Sequence, residues 1–187
     1  MARKGHLRGF TLIEILVSIV IIGIVMSVAV LSLSIVGDDR DVRKEARRLM
    51  TLLDVAQTEA MMQGREFGVE FMTGSYRFME FDPIINRWDE ITLDDTLRSW
   101  RLPDDMEIDL ILEDKRVTLD KEPAELKYDP KTGASANNYG PHLLLFSSGE
   151  STPFEVAVVR ARDDVAIAIA GDLLGNLDFV TEEDSAR

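Results

Sequence analysis

Few residues of this chain have the types and spacing that catalysis requires. Cysteine is absent, and there are only two histidines. His6 lies near the amino terminus, while His142 stands at a strand start and is expected at a surface or sheet edge. The sequence SSGES at 147–151 departs from the G-x-S-x-G turn that exposes a nucleophilic serine. No phosphate-binding loop is present. The sequence therefore predicts a protein that is not an enzyme, uses no cofactor and hydrolyses no ATP itself.

Oxygen-bearing side chains in one loop raise the question of calcium. Asp129, Asn137 and Asn138 belong to the sequence DPKTGASANNYGP at 129–141, which is a loop by composition. Calcium takes oxygen ligands, but the spacing of an EF-hand loop does not occur. The sequence therefore favours no bound metal.

One charged residue lies in a long apolar segment, where an ionised side chain is energetically costly. Glu14 is the only charged side chain between Phe10 and Val36, a run that as a helix exceeds ~30 Å and can cross a bilayer. An ionised carboxylate in a membrane span costs about 3 kcal/mol or more, so it needs a partner or an interfacial position. Bases precede the run and acids follow it. The positive-inside rule then predicts a cytoplasmic amino terminus and a body on the other side of the membrane.

Three ordinary interpretations of this apolar run are open. A removable signal peptide has a shorter apolar core, and SVAVLSLS at 27–34 is a weak cleavage site. A plain single-span anchor explains everything except Glu14 and the abrupt start at Gly9 and Phe10. A soluble core helix of this length and apolar content is unusual for so small a domain.

A more specific interpretation fits the residues better. The sequence GFTLIE at 9–14, after a short basic leader, resembles the processing site of type IV pilins and of the pseudopilins of type II secretion. The resemblance implies that a prepilin peptidase cuts between Gly9 and Phe10 and that Phe10 becomes the N-methylated terminus. It also implies that Glu14 meets the terminal ammonium group of a neighbouring subunit, which reduces the cost of both charges in lipid. Gly23 and Ser27 form a small-xxx-small pair that permits close approach of another helix.

The net charge argues against nucleic acid as a partner. The 187 residues carry a formal charge of −13, although the first nine contain only bases. The sequence RKEARR at 43–48 is the nearest thing to a basic patch, and Glu45 with nearby acids offsets its bases. Because an acidic body repels phosphates, we expect no nucleic-acid binding.

Apolar spacing predicts a second helical segment at 37–64. Residues such as Val42, Leu49 and Leu53 recur at intervals of three and four, which is typical of a helix with one buried face. Gly64 supplies a stop signal. Asp41 either caps this helix or lies within one helix that continues from the apolar run with a bend near Gly37.

From Arg65 the apolar period changes to two, which predicts strands. Phe67, Val69 and Phe71 share one face, and the sequence TGS turns the chain into a hairpin that ends at 82–83, before a less regular stretch. A frayed tail is expected at the carboxyl terminus. Further strand candidates are 96–101, 106–112, 116–119, 126–128, 142–146, 154–160, 164–170 and the end of 171–179.

These elements predict an α+β fold class. A long N-terminal helix, transmembrane in its first half, packs on an antiparallel β-sandwich-like C-terminal domain, as in pilins. The predicted parts are a cleaved leader at 1–9, a transmembrane segment at 10–36, an amphipathic periplasmic helix at 37–64 and a β-rich domain at 65–187.

A second motif indicates which group of pilin-like proteins the chain resembles. The sequence LLLFSSGESTPFEVAVV at 143–159 reads as a hairpin. With the last strand pair it resembles the H-type minor pseudopilins of type II secretion, whose domain is shared by pilus proteins of the FimT group. Glycine suits the turn, proline ends strand pairing, and the phenylalanines can pack inward. The matching residues are Phe146, Gly149, Glu150, Pro153 and Phe154.

This resemblance implies a structural role in protein export. An H-type subunit lies near the tip of a periplasmic pseudopilus that helps move folded proteins across the outer membrane. The implied partners are other minor pseudopilins, the major pseudopilin, the prepilin peptidase and bacterial inner-membrane lipid, with the C-terminal domain in the periplasm. The alternatives are a FimT-like minor pilin acting in pilus assembly or DNA uptake, and a membrane-anchored periplasmic binding protein or enzyme. The acidic body favours secretion over DNA uptake.

Overall fold

The described residues form one long helix followed by ten strands. A computed structural model describes residues 12–133, 135 and 139–180, with side chains except at 25 and 27–39. Two compact units are present, one ending at Arg40 and the other beginning at Asp41. Among the described residues, no helix combines the length and apolar content needed to cross a membrane.

Helix α1 runs without interruption from Leu12 to Gln63. Asp41 therefore lies inside the helix and does not cap its start. The predicted stop at Gly64 is confirmed, because Gly64 has a φ of 64° and the Arg65 N–H donates to the Ala60 carbonyl at 3.1 Å. This is the bond that closes a Schellman C-cap, and glycine adopts its left-handed conformation without steric cost.

The second half of α1 buries the face that its apolar spacing predicts. The side chains on this face are no more than 1% exposed and join residues of both sheets in one hydrophobic cluster. Burial of this apolar face holds the helix on the strands. The buried residues are Val42, Ala46, Leu49, Leu53, Ala56 and Ala60.

The strands form two antiparallel sheets of five strands each, as expected from the sequence. Sheet A has the order β3-β2-β1-β7 with β4 also paired to β2, and sheet B has the order β10-β9-β8-β5-β6. The strands are β1 (Phe67–Met72), β2 (Ser75–Asp82), β3 (Arg87–Glu90), β4 (Trp100–Arg101), β5 (Met106–Leu112), β6 (Lys115–Val117), β7 (Leu143–Leu145), β8 (Phe154–Arg160), β9 (Val165–Gly171) and β10 (Leu177–Phe179).

Local patterning predicted some strands well and others poorly. The hairpin of β1 and β2 and the bounds of β5 are confirmed. The stretch after the first hairpin contains β3, which we did not expect. Of the candidate at 96–101 only the last two residues are strand, because the Asp94 carboxylate accepts hydrogen bonds from the N–H groups of Thr96 and Leu97 and makes a turn there. The candidate at 126–128 is reduced to one bridge, between Tyr128 and Ser135.

The predicted hairpin at 143–159 forms only at its tip, where an antiparallel bridge joins Leu145 and Ser151 and the Thr152 N–H donates to the Leu144 carbonyl at 3.0 Å. The prediction that its two long arms pair with each other is wrong. Strand β7 pairs with β1 in sheet A, whereas β8 lies between β5 and β9 in sheet B. Residues 146–153 therefore form a crossover loop between the two sheets. A sequence that alternates between polar and apolar residues shows which side of a strand is buried, but it does not show which strand is its neighbour.

Candidate functional site

Residues 12–24 of α1 present an apolar surface. Glu14 lies in its first turn, and the Ser18 hydroxyl donates to the Glu14 carbonyl at 2.7 Å. The apolar side chains of 12–24 are exposed, with Leu12 at 84%. Extended apolar surfaces of this kind are covered by lipid or by other helices in assemblies. The predicted cleavage and methylation residues, Gly9 and Phe10, lie outside the described residues.

The crossover loop is held by its own backbone. The Phe146 N–H donates to the Glu150 carbonyl at 2.9 Å, and the Gly149 N–H donates to the Phe146 carbonyl at 3.0 Å. Gly149 has a φ of 94°, which strongly favours glycine. Glu150 and Pro153 are exposed. The motif residues thus make the tight tip of a short hairpin, beyond which the two arms continue into different sheets.

The two phenylalanines of this motif differ in burial. Phe146 is half-buried, whereas Phe154 is buried as expected for an inward-facing residue. The Phe154 ring lies directly over Gly171 of β9, where an added Cβ would be 2.1 Å from the ring. This contact requires glycine at that position of sheet B.

The crossover loop also contacts helix α1 and the turn between β9 and β10. The Gln57 side-chain amide donates to the Phe146 carbonyl at 3.1 Å. A Cβ added to Gly175 would lie 2.5 Å from the Gly149 carbonyl oxygen and 3.6 Å from Gln57. The loop, helix and turn therefore meet at one point, and the motif residues stabilise the packing of the helix on the two sheets.

The outer face of sheet A carries a buried ion pair that the sequence did not predict. Glu70 and Arg77 are each 5% exposed, and the Arg77 Nε donates to Glu70. Arg77 also donates to Glu90 at 2.9 Å and to the Ala124 carbonyl at 2.9 Å. Each buried charge has a partner, which burial requires. Alternation on β1 predicted the apolar face correctly but gave no signal that the opposite face is also covered.

The described residues of 120–142, here called the strap, cover that face. The Ala124 N–H donates to Glu70 at 2.9 Å, and Pro141 lies against Gly68, where an added Cβ would be 2.3 Å from the proline ring. Tyr139 donates to the Met79 sulfur at 2.8 Å. Burial raises the pKa of Tyr139, and Glu70 raises it further. The strap thus converts a solvent-facing sheet surface into interior.

His142 closes the strap at the edge of sheet A, in agreement with the expectation of a sheet-edge role. The Phe71 N–H donates to His142 Nδ1 at 3.1 Å, and the His142 N–H donates to the Val69 carbonyl at 3.0 Å. Burial lowers the pKa of His142, while Glu70 and Asp120 act in the opposite direction. Because Nδ1 accepts a hydrogen bond, the ring is neutral in this arrangement.

The loop considered for calcium is organised by local hydrogen bonds. The Asp129 carboxylate accepts from the Lys131 N–H at 2.8 Å, and Asn137 and Asn138 lie outside the described residues. Within the part of the chain that the structure describes, no group of three or more histidine, cysteine, aspartate or glutamate side chains could hold a metal ion.

The fold and the exposed apolar helix define the class of pilin-like assembly subunits. A solved structure, that of the minor pseudopilin EpsH from the Type 2 Secretion System of Vibrio cholerae, has the same fold. Its TM-score is 0.55 at 21% sequence identity, over 75% of this chain and 97% of that chain.

Sequence comparisons identify the family. Residues 6–30 match the model for the prokaryotic N-terminal methylation motif, and residues 45–175 match the model for the type II transport protein GspH. Type II secretion system protein H of Pseudomonas aeruginosa is 32% identical over 166 residues, or 88% of this chain and 91% of that protein. The protein of the same name from Aeromonas hydrophila is 29% identical over 186 residues, or 97% of this chain and 98% of that protein. The chain belongs to the GspH family of type II transport proteins, which confirms the expected H-type class.

Proposed function

We propose that this chain is a minor pseudopilin that acts as a structural subunit of a type II secretion pseudopilus and performs no catalysis. The observation that carries the proposal is the presence of two family matches on one chain, with the methylation motif at 6–30 and the GspH domain at 45–175. The first motif supplies an anchored helix for assembly, and the domain supplies subunit-specific contacts.

The proposed pathway begins with removal of the leader. A prepilin peptidase cuts after Gly9, Phe10 is N-methylated, and residues 10–36 hold the subunit in the inner membrane. The new ammonium group of a neighbouring subunit then pairs with Glu14, because two charges that are each costly in lipid are less costly together. The exposed apolar side chains of 12–24 support this proposal, since packing among helices would cover them.

In the assembled state the C-terminal domain contacts other minor pseudopilins and the major pseudopilin in the periplasm, near the tip of the pseudopilus. The motif residues at 146–154 contribute indirectly, by fixing the helix against both sheets. This role is supported by the contacts of Gln57 and Gly175 with the crossover loop. Energy for assembly comes from another protein.

The mature amino terminus provides the test. Mass spectrometry of the protein isolated from bacteria with an intact type II secretion system is expected to find a chain that begins with N-methylated Phe10. Deletion of the gene is expected to stop export of a type II substrate, and the wild-type chain is expected to restore it. A retained leader together with normal export would refute the proposal and favour an anchored periplasmic protein.

The charge of the folded chain weighs against DNA uptake by a FimT-like pilin. A surface cleft beside β2 and β3 is lined by Glu80, Asp82, Asp89 and Glu90, which would repel phosphates. A shift of DNA mobility by the purified protein at physiological salt would reverse this preference.

A further inference from the structure

Residues 40–48 of helix α1 expose more bases than acids although the whole chain is acidic. In the sequence, Glu45 offsets the bases of 43–48. In the fold, Glu45 is only 7% exposed and accepts a hydrogen bond from Arg48 at 2.6 Å. Arg43, Lys44 and Arg47 are exposed, and among the described residues no ion pair involves them. Glu45 is thus occupied by Arg48 inside the fold, and the other three bases stay at the surface.

These three residues share one side of the helix and are called the basic face. At roughly 100° per residue, Arg43, Lys44 and Arg47 fall within a sector of about 100°. Asp41, the nearest described acid before them, lies about 60° around the helix from Lys44 and about 120° from Arg47. The next acid on the same side is Asp54, about 10 Å further along the axis from Arg47. The field in front of the basic face is therefore positive.

The basic face follows the apolar run closely in the chain. Seven positions separate Arg43 from Val36, which limits their separation to at most about 25 Å. Helical side chains also tilt towards the amino terminus of their helix, and the apolar run precedes the basic face in the sequence. Long basic side chains in this position reach headgroup phosphates while their stems stay on the helix.

We propose that the basic face, Arg43, Lys44 and Arg47, binds anionic phospholipid headgroups on the side of the membrane that carries the C-terminal domain. This inference rests on the proposed membrane anchoring of the subunit. A chain with a net charge of −13 is repelled by an anionic surface, and an exposed basic face beside the anchor provides a local attraction that orients the domain.

Lipid suits this face better than an extended nucleic acid or an unspecified protein. A long phosphate polymer bound at three bases would also run along acidic surface. A membrane instead presents a plane of negative charge next to the apolar run, which the basic face follows in the chain after Asp38, Asp39 and Asp41. An acidic neighbouring pseudopilin is the competing partner, and the experiment separates it from lipid.

The test measures how close the folded domain lies to headgroups. The natural chain has no cysteine, so Thr58→Cys on the same side of α1 gives the full-length chain a single site for a fluorescent donor. The labelled chain is reconstituted in nanodiscs that contain a headgroup-labelled acceptor lipid. One set is phosphatidylcholine, and the other also contains phosphatidylglycerol. We expect higher energy transfer with phosphatidylglycerol at low salt and loss of this increase at high salt.

Two sets of substitutions with equal charge change provide the comparison. R43Q/K44Q/R47Q is expected to abolish the increase. K115Q/K121Q/K131Q, which removes three exposed bases elsewhere, is expected to retain it. Circular dichroism verifies that both variants are folded. Equal transfer in the two lipids, or equal loss in both variants, would overturn the proposal.

The remaining outcomes distinguish the partner and the anchoring. If R43Q/K44Q/R47Q leaves energy transfer unchanged but reduces cross-linking to a co-reconstituted pseudopilin, the basic face binds protein and the lipid proposal is wrong. If the wild-type chain is not recovered in nanodiscs of either composition, membrane anchoring itself fails, and with it the proposed pathway of assembly. If the chain inserts but its energy transfer does not depend on phosphatidylglycerol, only the proposed binding of headgroups by the basic face is refuted, and membrane anchoring is not.

Discussion

The glutamates of this chain lie in different environments, which differ in burial and in hydrogen-bond partners. Glu14 lies in a helical segment whose apolar side chains are exposed. Glu45 is withdrawn from the surface by Arg48, and Glu70 is buried with Arg77. The carboxylates of Glu45 and Glu70 therefore serve internal packing, whereas we propose that the carboxylate of Glu14 serves assembly.

Substitution of Glu14 tests its proposed pairing. Glu14→Leu is expected to leave leader cleavage intact but to reduce incorporation into the pseudopilus about tenfold, because an attraction worth on the order of 1–2 kcal/mol is lost. Cleavage is measured by mass spectrometry and incorporation by cross-linking to the major subunit, with Ile15→Leu as the control. Blocked cleavage with normal incorporation would contradict the role assigned to Glu14.

His142 is expected to make stability depend on pH. Its pKa in the folded chain is lowered from 6.5 by burial, so the unfolded chain binds the proton more readily. The contribution of neutral His142 is therefore complete above pH ~6.5 and is lost as the pH falls towards the lower pKa of the folded state. Protonation also removes the acceptor of the Phe71 N–H.

Urea unfolding at a series of pH values between about 8 and 5 measures this effect. The wild type is expected to lose stability across this interval, and His142→Gln is expected to lose less. Because the chain has only two histidines, an NMR titration assigns the ring directly. A pKa at or above 6.5 for His142 would show that burial does not control its protonation.

At the scale of elements, the connecting segments determine which sheet a strand joins and which of its faces are buried. The crossover loop sends β8 to sheet B although its sequence resembles half of a hairpin. The strap covers sheet A and gives β1 two buried faces. Both features depend on contacts between segments that are distant in sequence, such as Gln57 with Phe146 and Gly68 with Pro141.

A methyl group at position 68 is expected to disturb the strap. Gly68→Ala places a Cβ 2.3 Å from Pro141 Cγ and 2.9 Å from its Cβ, and the proline ring has little freedom to move away. We expect a loss of about 1–3 kcal/mol in the free energy of unfolding, which is typical of overpacking. Gly74→Ala is the control, since an added Cβ there has no atom within 4 Å. Equal urea midpoints for the two variants would contradict the tight contact.

At the scale of the whole molecule, residues from 41 onwards form a compact unit with their own hydrophobic core. This unit contains both sheets and residues 41–63 of α1, so that part of the helix belongs to the domain. The acidic charge of the chain keeps such a domain soluble and repels phosphate polymers.

The fragment 41–187 is expected to fold cooperatively without the apolar run. Within it, Leu49→Ala should cost about 2–5 kcal/mol because Leu49 is 0% exposed in the core between helix and sheets. Thr58→Ala on the exposed side should stay within about 0.5 kcal/mol of the wild type. Thermal and urea unfolding of the fragment measure both. A broad, non-cooperative transition in the unsubstituted fragment would show that it is not an independent unit.

Local sequence determined the features that depend on neighbouring residues. Spacing of three and four residues identified the buried face of α1, Gly64 marked its end, and alternation identified β1, β2 and β5. The sequence at 9–14 and the residues at 146–154 also gave the family, which the matches at 6–30 and 45–175 confirm. Periodicity is a property of a single segment, so the sequence of that segment is enough to predict its secondary structure and its buried face.

Tertiary structure alone decided which segments meet. It placed β7 and β8 in different sheets, paired β3 with β2, and covered the outer face of sheet A. It also buried Glu45, which turned a run of mixed charge into an exposed basic face. The hydrogen-bonding partners of a strand and the burial of a charge depend on residues that are distant in the sequence. The pattern of a single segment therefore does not predict them.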